Sequence, residues 1–466
     1  MHTSIAILWY PEGLHPVWPN PICKISTPIT KSQKENDMPG PKGNAVIGQS
    51  GGPTAVINRS FIGAIMEARK HEEIVEFYGA RHGVQGMLRN EYVPLFEQPN
   101  FVLSQISQTP AAALGSIRHK PTKEECNQIF DNFKKMNVRY FFYIGGNDSS
   151  ETAYLINSFA AQEGYDLRVV HIPKTIDNDL LVTDHCPGFG SAARYVAAAF
   201  IGDNEDNRAL KGVKINVVMG RNAGFLTAAG LLAKQYPKDG PHLVYMPEMS
   251  FDLDQFLKDV DRTFKEHGRA LVAVSEGINR QGIYNMKTGE KPEYISKWLN
   301  SFVNLNLPKK YLPKEASKAV EVDSHGNVSL SGTGMMGDIL SIIVKSSLNI
   351  SRVRADTLGY PQRSFPLAVS EVDAQEAYRV GVDAVIAAVQ DNFDEGSLAI
   401  KRVDEEGVYQ IETFVTPLQS VQKQTKSFPK EWITDDGRID ERKFREYVNP
   451  LVGDLPITGR FVKAIF

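Results

Sequence analysis

Cysteine is scarce in this chain: Cys23, Cys126 and Cys186 are the only three in 466 residues, and none forms a C-x-x-C pair. That excludes a disulfide framework and a cysteine-built zinc site, and it fits a reducing, cytoplasmic setting. No apolar run approaches the roughly 20 residues of a membrane-spanning helix, so a membrane is not an expected partner. Charge of one sign is nowhere concentrated. The net charge is −3, and basic clusters such as "RHGVQGMLR" are too short to track a nucleic acid. Internal repeats and low-complexity tracts are also missing. What remains, 42% hydrophobic and 23% charged residues, describes a soluble globular chain with enough material for two domains. Its expected partners are small molecules and copies of itself.

The first 43 residues are proline-rich and aperiodic, which predicts a flexible extension; Met38, just before "PGPKGNAVIGQSGG", is an alternative start. From Asn44 onward, short apolar runs lead into glycine-containing turns and helical stretches: "NAVIG", "VRYFFYI", "LRVVHIP", "INVVM" and "ALVAVS" each open such a unit. This alternation predicts an α/β fold with parallel-rich sheets covered by helices on both faces. In such sheets ligands sit beyond the carboxyl ends of the strands, where the polar motifs of this chain also fall. Residues from about Gln281 to Ser331 are polar and irregular and read as an insertion. "GTGMMGDILSIIVKSSL" reads as an amphipathic helix, another helix is expected from about Tyr378 to Val389, and a polar tail follows from Lys401.

Five motifs carry chemistry. "GQSGGPTAVIN" sets Gly51 and Gly52 between a strand and a helix, where backbone N–H groups can approach an anion, although no Lys-Ser or Lys-Thr follows as in a Walker loop. "PKTIDND" gathers Lys174, Thr175, Asp177 and Asp179 in one short loop. Such a loop can supply a base for a hydroxyl, an acid facing a metal and a cation for a transferred phosphate, or it can be an Asx-rich turn that stabilises only itself. "VVMGRNAGFLT" puts Arg221 at a helix opening, where the helix dipole disfavours a cation unless an anion joins it. "RADTLGYPQRS" sets Arg354 and Arg363 either side of a turn with Tyr360, as a monophosphate clamp or as surface ion pairs. Glu276, in "SEG", is a strand-end acid able to accept from a sugar hydroxyl or to stand solvated.

In their order and separation these motifs resemble the phosphofructokinase family from Asn44 to about Arg363. The resemblance implies two doubly wound α/β domains with the active site in the cleft between them, and magnesium-dependent phosphoryl transfer to the 1-hydroxyl of fructose 6-phosphate. It implies that Asp177 is the base, Asp179 the second acid of its loop, and Thr175 a substrate contact. Met219, Gly220 and Arg221 are similar to the family's substrate-binding and transition-state motif. Glu276 resembles its sugar-hydroxyl acceptor, and Arg354, Tyr360 and Arg363 its clamp on the 6-phosphate. Arg118, in "LGSIR", resembles the arginine that reaches the transferring phosphate, and Gly51 the glycine that contacts the donor. The implied domains are 44–190 plus about 364–415 for the donor, 191–363 for the sugar phosphate, and a tail at 416–466. The family's habit of dimers and tetramers implies a homo-oligomer.

The donor is implied by two departures. The nucleotide-using branch has G-G-D-G-S and P-G-T-I-D-N-D where this chain has "GGNDS" and "PKTIDND". Both changes resemble the pyrophosphate-dependent branch. Asp148 would repel a nucleotide's α-phosphate, at a cost of roughly several kcal/mol in a confined site. Lys174 would offer charge to a small leaving phosphate without nucleoside contacts. The expected products are fructose 1,6-bisphosphate and phosphate, with ready reversal. Asn147 stands where most of the family has an aspartate facing magnesium, and an amide oxygen is the weaker ligand for that hard cation. A nucleotide-dependent kinase and a weakly catalytic regulatory subunit are the rival expectations.

Overall fold

The computed structural model describes residues 40–278, 334–390, 393–404, 407–422 and 425–461. The expected insertion at 281–331, and the extension with Met38, lie outside them except for residues 40–43. Two sheets organise the described chain. The first has seven strands in the order β11-β10-β5-β4-β1-β2-β3. They are β1 (Gly43–Gln49), β2 (Ile74–Ala80), β3 (Tyr92–Pro94), β4 (Val138–Gly145), β5 (Arg168–Pro173), β10 (Glu395–Arg402) and β11 (Ile411–Thr416). The second, in the order β7-β8-β6-β9, is parallel throughout and contains β6 (Val213–Val218), β7 (Leu243–Tyr245), β8 (Ala270–Ser275) and β9 (Val353–Thr357).

The inner strands of the first sheet, from β10 to β2, pair in parallel, and only β3 and β11 are antiparallel edges. Every residue of β5 and all but one of β4 are buried, which is why "VRYFFYI" reads as a continuous apolar run rather than an alternation. One helical layer is fixed by an unusually close crossing. The helices Ile57–Ala68 and Glu371–Ala388 meet at two glycines: a Cβ on Gly63 would lie 2.3 Å from the Tyr378 carbonyl oxygen, and one on Gly381 would lie 2.0 Å from that of Ser60. The second of these helices starts earlier than Tyr378 because Ser370 caps it, accepting from the Asp373 N–H.

Topology then dictates where ligands go. From β1 the chain moves outward to β2 and β3, then returns to place β4 on the opposite flank of β1. The crevice at that reversal lies beyond the carboxyl ends of β1 and β4, between the turns Gly51–Gly52 and Gly145–Gly146. The second sheet repeats the device: β6 leads outward to β7 and β8, and β9 returns on its other flank.

The chain after β11 contributes to the core. Its helix Glu441–Val452 buries Phe444, Val448 and Leu451, spaced at helical intervals, in the largest core cluster and packs on the helix Phe189–Ala209. Asp440 caps it through the Lys443 N–H. No helix among the described residues is long and apolar enough to cross a membrane.

Candidate active site

Gly51 opens the first wall. Its φ of +74° is in the left-handed region that glycine adopts without strain, its N–H donates to the Ile117 carbonyl at 3.1 Å, and its own carbonyl accepts from the Ser116 hydroxyl at 2.6 Å. The turn is thereby held against the segment that ends in the exposed Arg118. A Cβ on Gly51 would stand 3.2 Å from the Lys174 ammonium, and one on Gly52 would stand 3.1 Å from the Arg363 guanidinium carbon. The bare backbone at this turn therefore lets two cations from distant parts of the chain approach it.

Lys174 follows β5 and is buried, 4% exposed. Its ammonium donates to the Gly52 carbonyl at 2.7 Å, and its backbone N–H donates to the Gly145 carbonyl at 2.9 Å. The Gly145 oxygen lies 2.9 Å from Nε2 of buried His171 as well, so both glycine turns are tied to the end of β5. Burial, then the nearby Arg363 guanidinium, pulls the Lys174 ammonium down to about 7. Beyond Gly146 the helix Asn147–Gln162 begins, with Asn147 half-buried and Asp148 exposed in its first turn.

The acidic loop is wired through Thr175. Its hydroxyl accepts from the Asp177 N–H at 3.1 Å and donates to Asp179 Oδ1 at 3.2 Å. Burial and the charge of Glu276 raise the Asp177 carboxyl, against the pull of Arg363, Arg221 and Lys174. Burial and Asp177 raise Asp179, against the Thr175 hydrogen bond and the charge of Lys426. Among the described residues Asp177 Oδ1, which is buried, has no hydrogen-bond partner. A buried acceptor left open in this way costs about 1–3 kcal/mol unless something outside the chain satisfies it.

The second sheet supplies the opposite wall. Met219, Gly220 and Arg221 follow β6; the Met219 N–H donates to Gln362 Oε1 at 3.2 Å, and the Gly220 carbonyl accepts from the Ser275 hydroxyl at 2.7 Å. Glu276 follows β8 and is buried. A Cβ on Gly277 would come within 2.1 Å of the Arg221 carbonyl oxygen, so the turns after β6 and β8 are in backbone contact. After β9, Arg363 places its guanidinium 4.6 Å from the centre of the partly exposed Tyr360 ring.

The cleft thus gathers Gly51, Gly52, Lys174, Thr175, Asp177, Asp179, Arg221, Glu276 and Arg363, with Arg118 close enough to lower both Lys174 and Arg363. Arg354 is not brought into it. That residue lies near the amino end of β9, opposite Lys214, with an exposed side chain whose guanidinium donates back to the Val353 carbonyl. The ligand-facing loops lie at the other end of the same strand, so the nine-residue separation from Arg363 does not become a clamp within one chain. Sequence reasoning missed Lys426, Tyr447 and Gln362. Only Gln362 had a local signal, its place inside "YPQRS".

Cations over a glycine turn, a buried acid and polar groups on a facing wall are the parts that a phosphoryl-transfer site requires. Residues 44–388 match the Phosphofructokinase family, and the chain belongs to it. It is 46% identical over 412 residues to the "Pyrophosphate--fructose 6-phosphate 1-phosphotransferase" of Rhodospirillum rubrum, covering 88% of this chain and 95% of that one. The protein of the same name from Halomonas elongata is 31% identical over 420 residues, covering 88% and 91%. Among solved structures, the pyrophosphate-dependent phosphofructokinase of Marinobacter aquaeolei superposes with a TM-score of 0.72 at 30% identity, covering 90% of this chain and 94% of that one. Phosphotransferases of this family generally use a divalent metal.

Proposed function

We propose that the chain transfers a phosphoryl group from pyrophosphate to the 1-hydroxyl of D-fructose 6-phosphate, reversibly, giving fructose 1,6-bisphosphate and phosphate. The observation that carries this reading is the Lys174 ammonium, buried inside the Gly51–Gly52 turn where the nucleotide-using branch has a glycine. A cation there meets a diphosphate without any nucleoside contact.

In this reading Asp177 accepts the proton of the 1-hydroxyl, whose oxygen forms the new bond to phosphorus as the bond to the departing phosphate breaks. The open Oδ1 and the raised carboxyl suit a base that must bind a proton during the reaction. Lys174, Arg118 and Arg221 hold the charge of the moving phosphoryl group, and the turns Gly51–Gly52 and Gly145–Gly146 receive the diphosphate. Glu276 accepts from a sugar hydroxyl, Thr175, Met219 and Gly220 line the sugar, and Tyr360 with Arg363 holds the 6-phosphate. Within one chain Arg354 lies apart from that clamp. Asp148, exposed at the mouth of the donor crevice, repels a larger polyphosphate.

Hard oxygen donors suit magnesium, and Asp179 with Asn147 would hold it. Among the described residues no group of three or more His, Cys, Asp or Glu side chains is arranged for a metal. A magnesium ion held there would neutralise part of the diphosphate charge. A homo-oligomer is part of the same proposal.

The reverse direction provides a test. Fructose 1,6-bisphosphate, phosphate and magnesium incubated with the protein should yield pyrophosphate and fructose 6-phosphate, followed by phosphorus NMR. Absence of pyrophosphate, with active protein in the forward assay, would refute the reversible diphosphate reading.

A further inference from the structure

The family match ends at residue 388, yet the chain beyond it returns to the loop that carries Asp177 and Asp179. Asn178, between the two acids, is fully buried with φ +58°. Its Nδ2 donates to the Tyr447 hydroxyl at 2.7 Å, and its Oδ1 accepts from the Cys186 N–H at 3.0 Å. The Tyr447 hydroxyl donates in turn to the Asp184 carbonyl at 2.9 Å. On the other side, the Lys426 backbone N–H donates to the Asp179 carbonyl at 2.8 Å, while its ammonium donates to the carbonyls of Thr183 and Asp184 at 3.1 and 2.8 Å.

The loop needs such support. Besides Asn178, Val182 has φ +71°, a region that a β-branched residue occupies only when its surroundings impose it. Neither Tyr447 nor Lys426 belongs to the machinery assigned above, and the side chain of each bonds to loop groups other than the two carboxylates. We propose that Tyr447 and Lys426 are positioning residues for phosphoryl transfer, holding the Asn178 side chain and the carbonyls of Asp179, Thr183 and Asp184 so that Asp177 and Asp179 keep their mutual geometry. The C-terminal segment is then a working part of the active site. This inference rests on the reading of Asp177 as the base.

The test is steady-state kinetics on full-length Tyr447→Phe, Lys426→Met and Lys426→Arg, with Asp177→Asn alongside. Tyr447→Phe keeps the ring packed against Phe189, Phe225 and Trp432 while removing the hydroxyl. Misplacement of reacting groups by a fraction of an ångström should lower kcat by about ten-fold or more in Tyr447→Phe and Lys426→Met, with KM for both substrates within about two-fold. Lys426→Arg, which can still donate to two carbonyls, should recover most of the rate. Unchanged kcat in Tyr447→Phe and Lys426→Met overturns the inference, and so does a loss of rate that merely follows a loss of folded protein. If Asp177→Asn retains turnover, the assignment of the base has failed. If Asp177→Asn is inactive while the other variants match the wild type, only the positioning inference has failed.

Discussion

The Lys174 ammonium donates to the Gly52 carbonyl across 2.7 Å, joining the end of β5 to the turn after β1 and placing a buried cation where a diphosphate would lie. Replacement by methionine keeps the stem and removes the charge. Losing one preorganised donor of this kind costs about 10²–10³ in kcat, so Lys174→Met should fall by that much with pyrophosphate as donor. A rate within about two-fold of the wild type in the same assay would show that Lys174 is only packing.

The pH profile follows from two groups shifted in opposite directions. Asp177 must be ionised to accept a proton, and burial with Glu276 raises it, so kcat/KM should fall on acidification at a pH above the ordinary aspartate value of about 3.9. Lys174 must be charged, and burial lowers it to about 7, so kcat/KM should fall again as pH rises through that value. Bound diphosphate favours the ammonium, which should move the alkaline limb upward in kcat. Arginine stays charged throughout this range, so Lys174→Arg should lose the alkaline limb. The same alkaline limb in wild type and Lys174→Arg would assign it to another group.

Removing the base should separate chemistry from binding. Asp177→Ala should abolish turnover while titration calorimetry still reports binding of fructose 6-phosphate, because Glu276, Tyr360 and Arg363 are untouched. Turnover at the wild-type rate would remove Asp177 from its assigned role.

The glycine crossing makes a stability prediction remote from the cleft. Gly381→Ala would force a methyl to within 2.0 Å of the Ser60 carbonyl oxygen, and the two helices must separate to admit it. Overpacking of this kind costs about 1–3 kcal/mol, measurable as a lowered midpoint in chemical unfolding. An unchanged midpoint would mean that the helices reposition freely.

Legibility in the sequence followed burial and locality. The strands Val138–Gly145 and Arg168–Pro173 announce themselves because both faces are covered and each reads as an unbroken apolar run. The edge strand β3 has three residues and carries no comparable signal. The helix Glu441–Val452 hid inside a charged stretch, since its apolar face of Phe444, Val448 and Leu451 is diluted by surface residues and by Pro450. The site divides in the same way. Lys174, Thr175, Asp177 and Asp179 share one loop and were readable together. Lys426 and Tyr447 reach that loop only through tertiary packing, which no local pattern reports. Arg354 stands apart from Arg363 within one chain because a β-strand rises about 3.3 Å per residue, so a few residues along β9 carry it away from the loops at the strand's carboxyl end.

Donor choice tests the central claim most directly. The purified protein, fructose 6-phosphate and magnesium should be assayed with pyrophosphate and with ATP in parallel, each across a full concentration range. The account predicts that kcat/KM for pyrophosphate exceeds that for ATP by at least about 10², corresponding to roughly 3 kcal/mol of discrimination from Lys174 and Asp148 together. Equal or better turnover with ATP would contradict it.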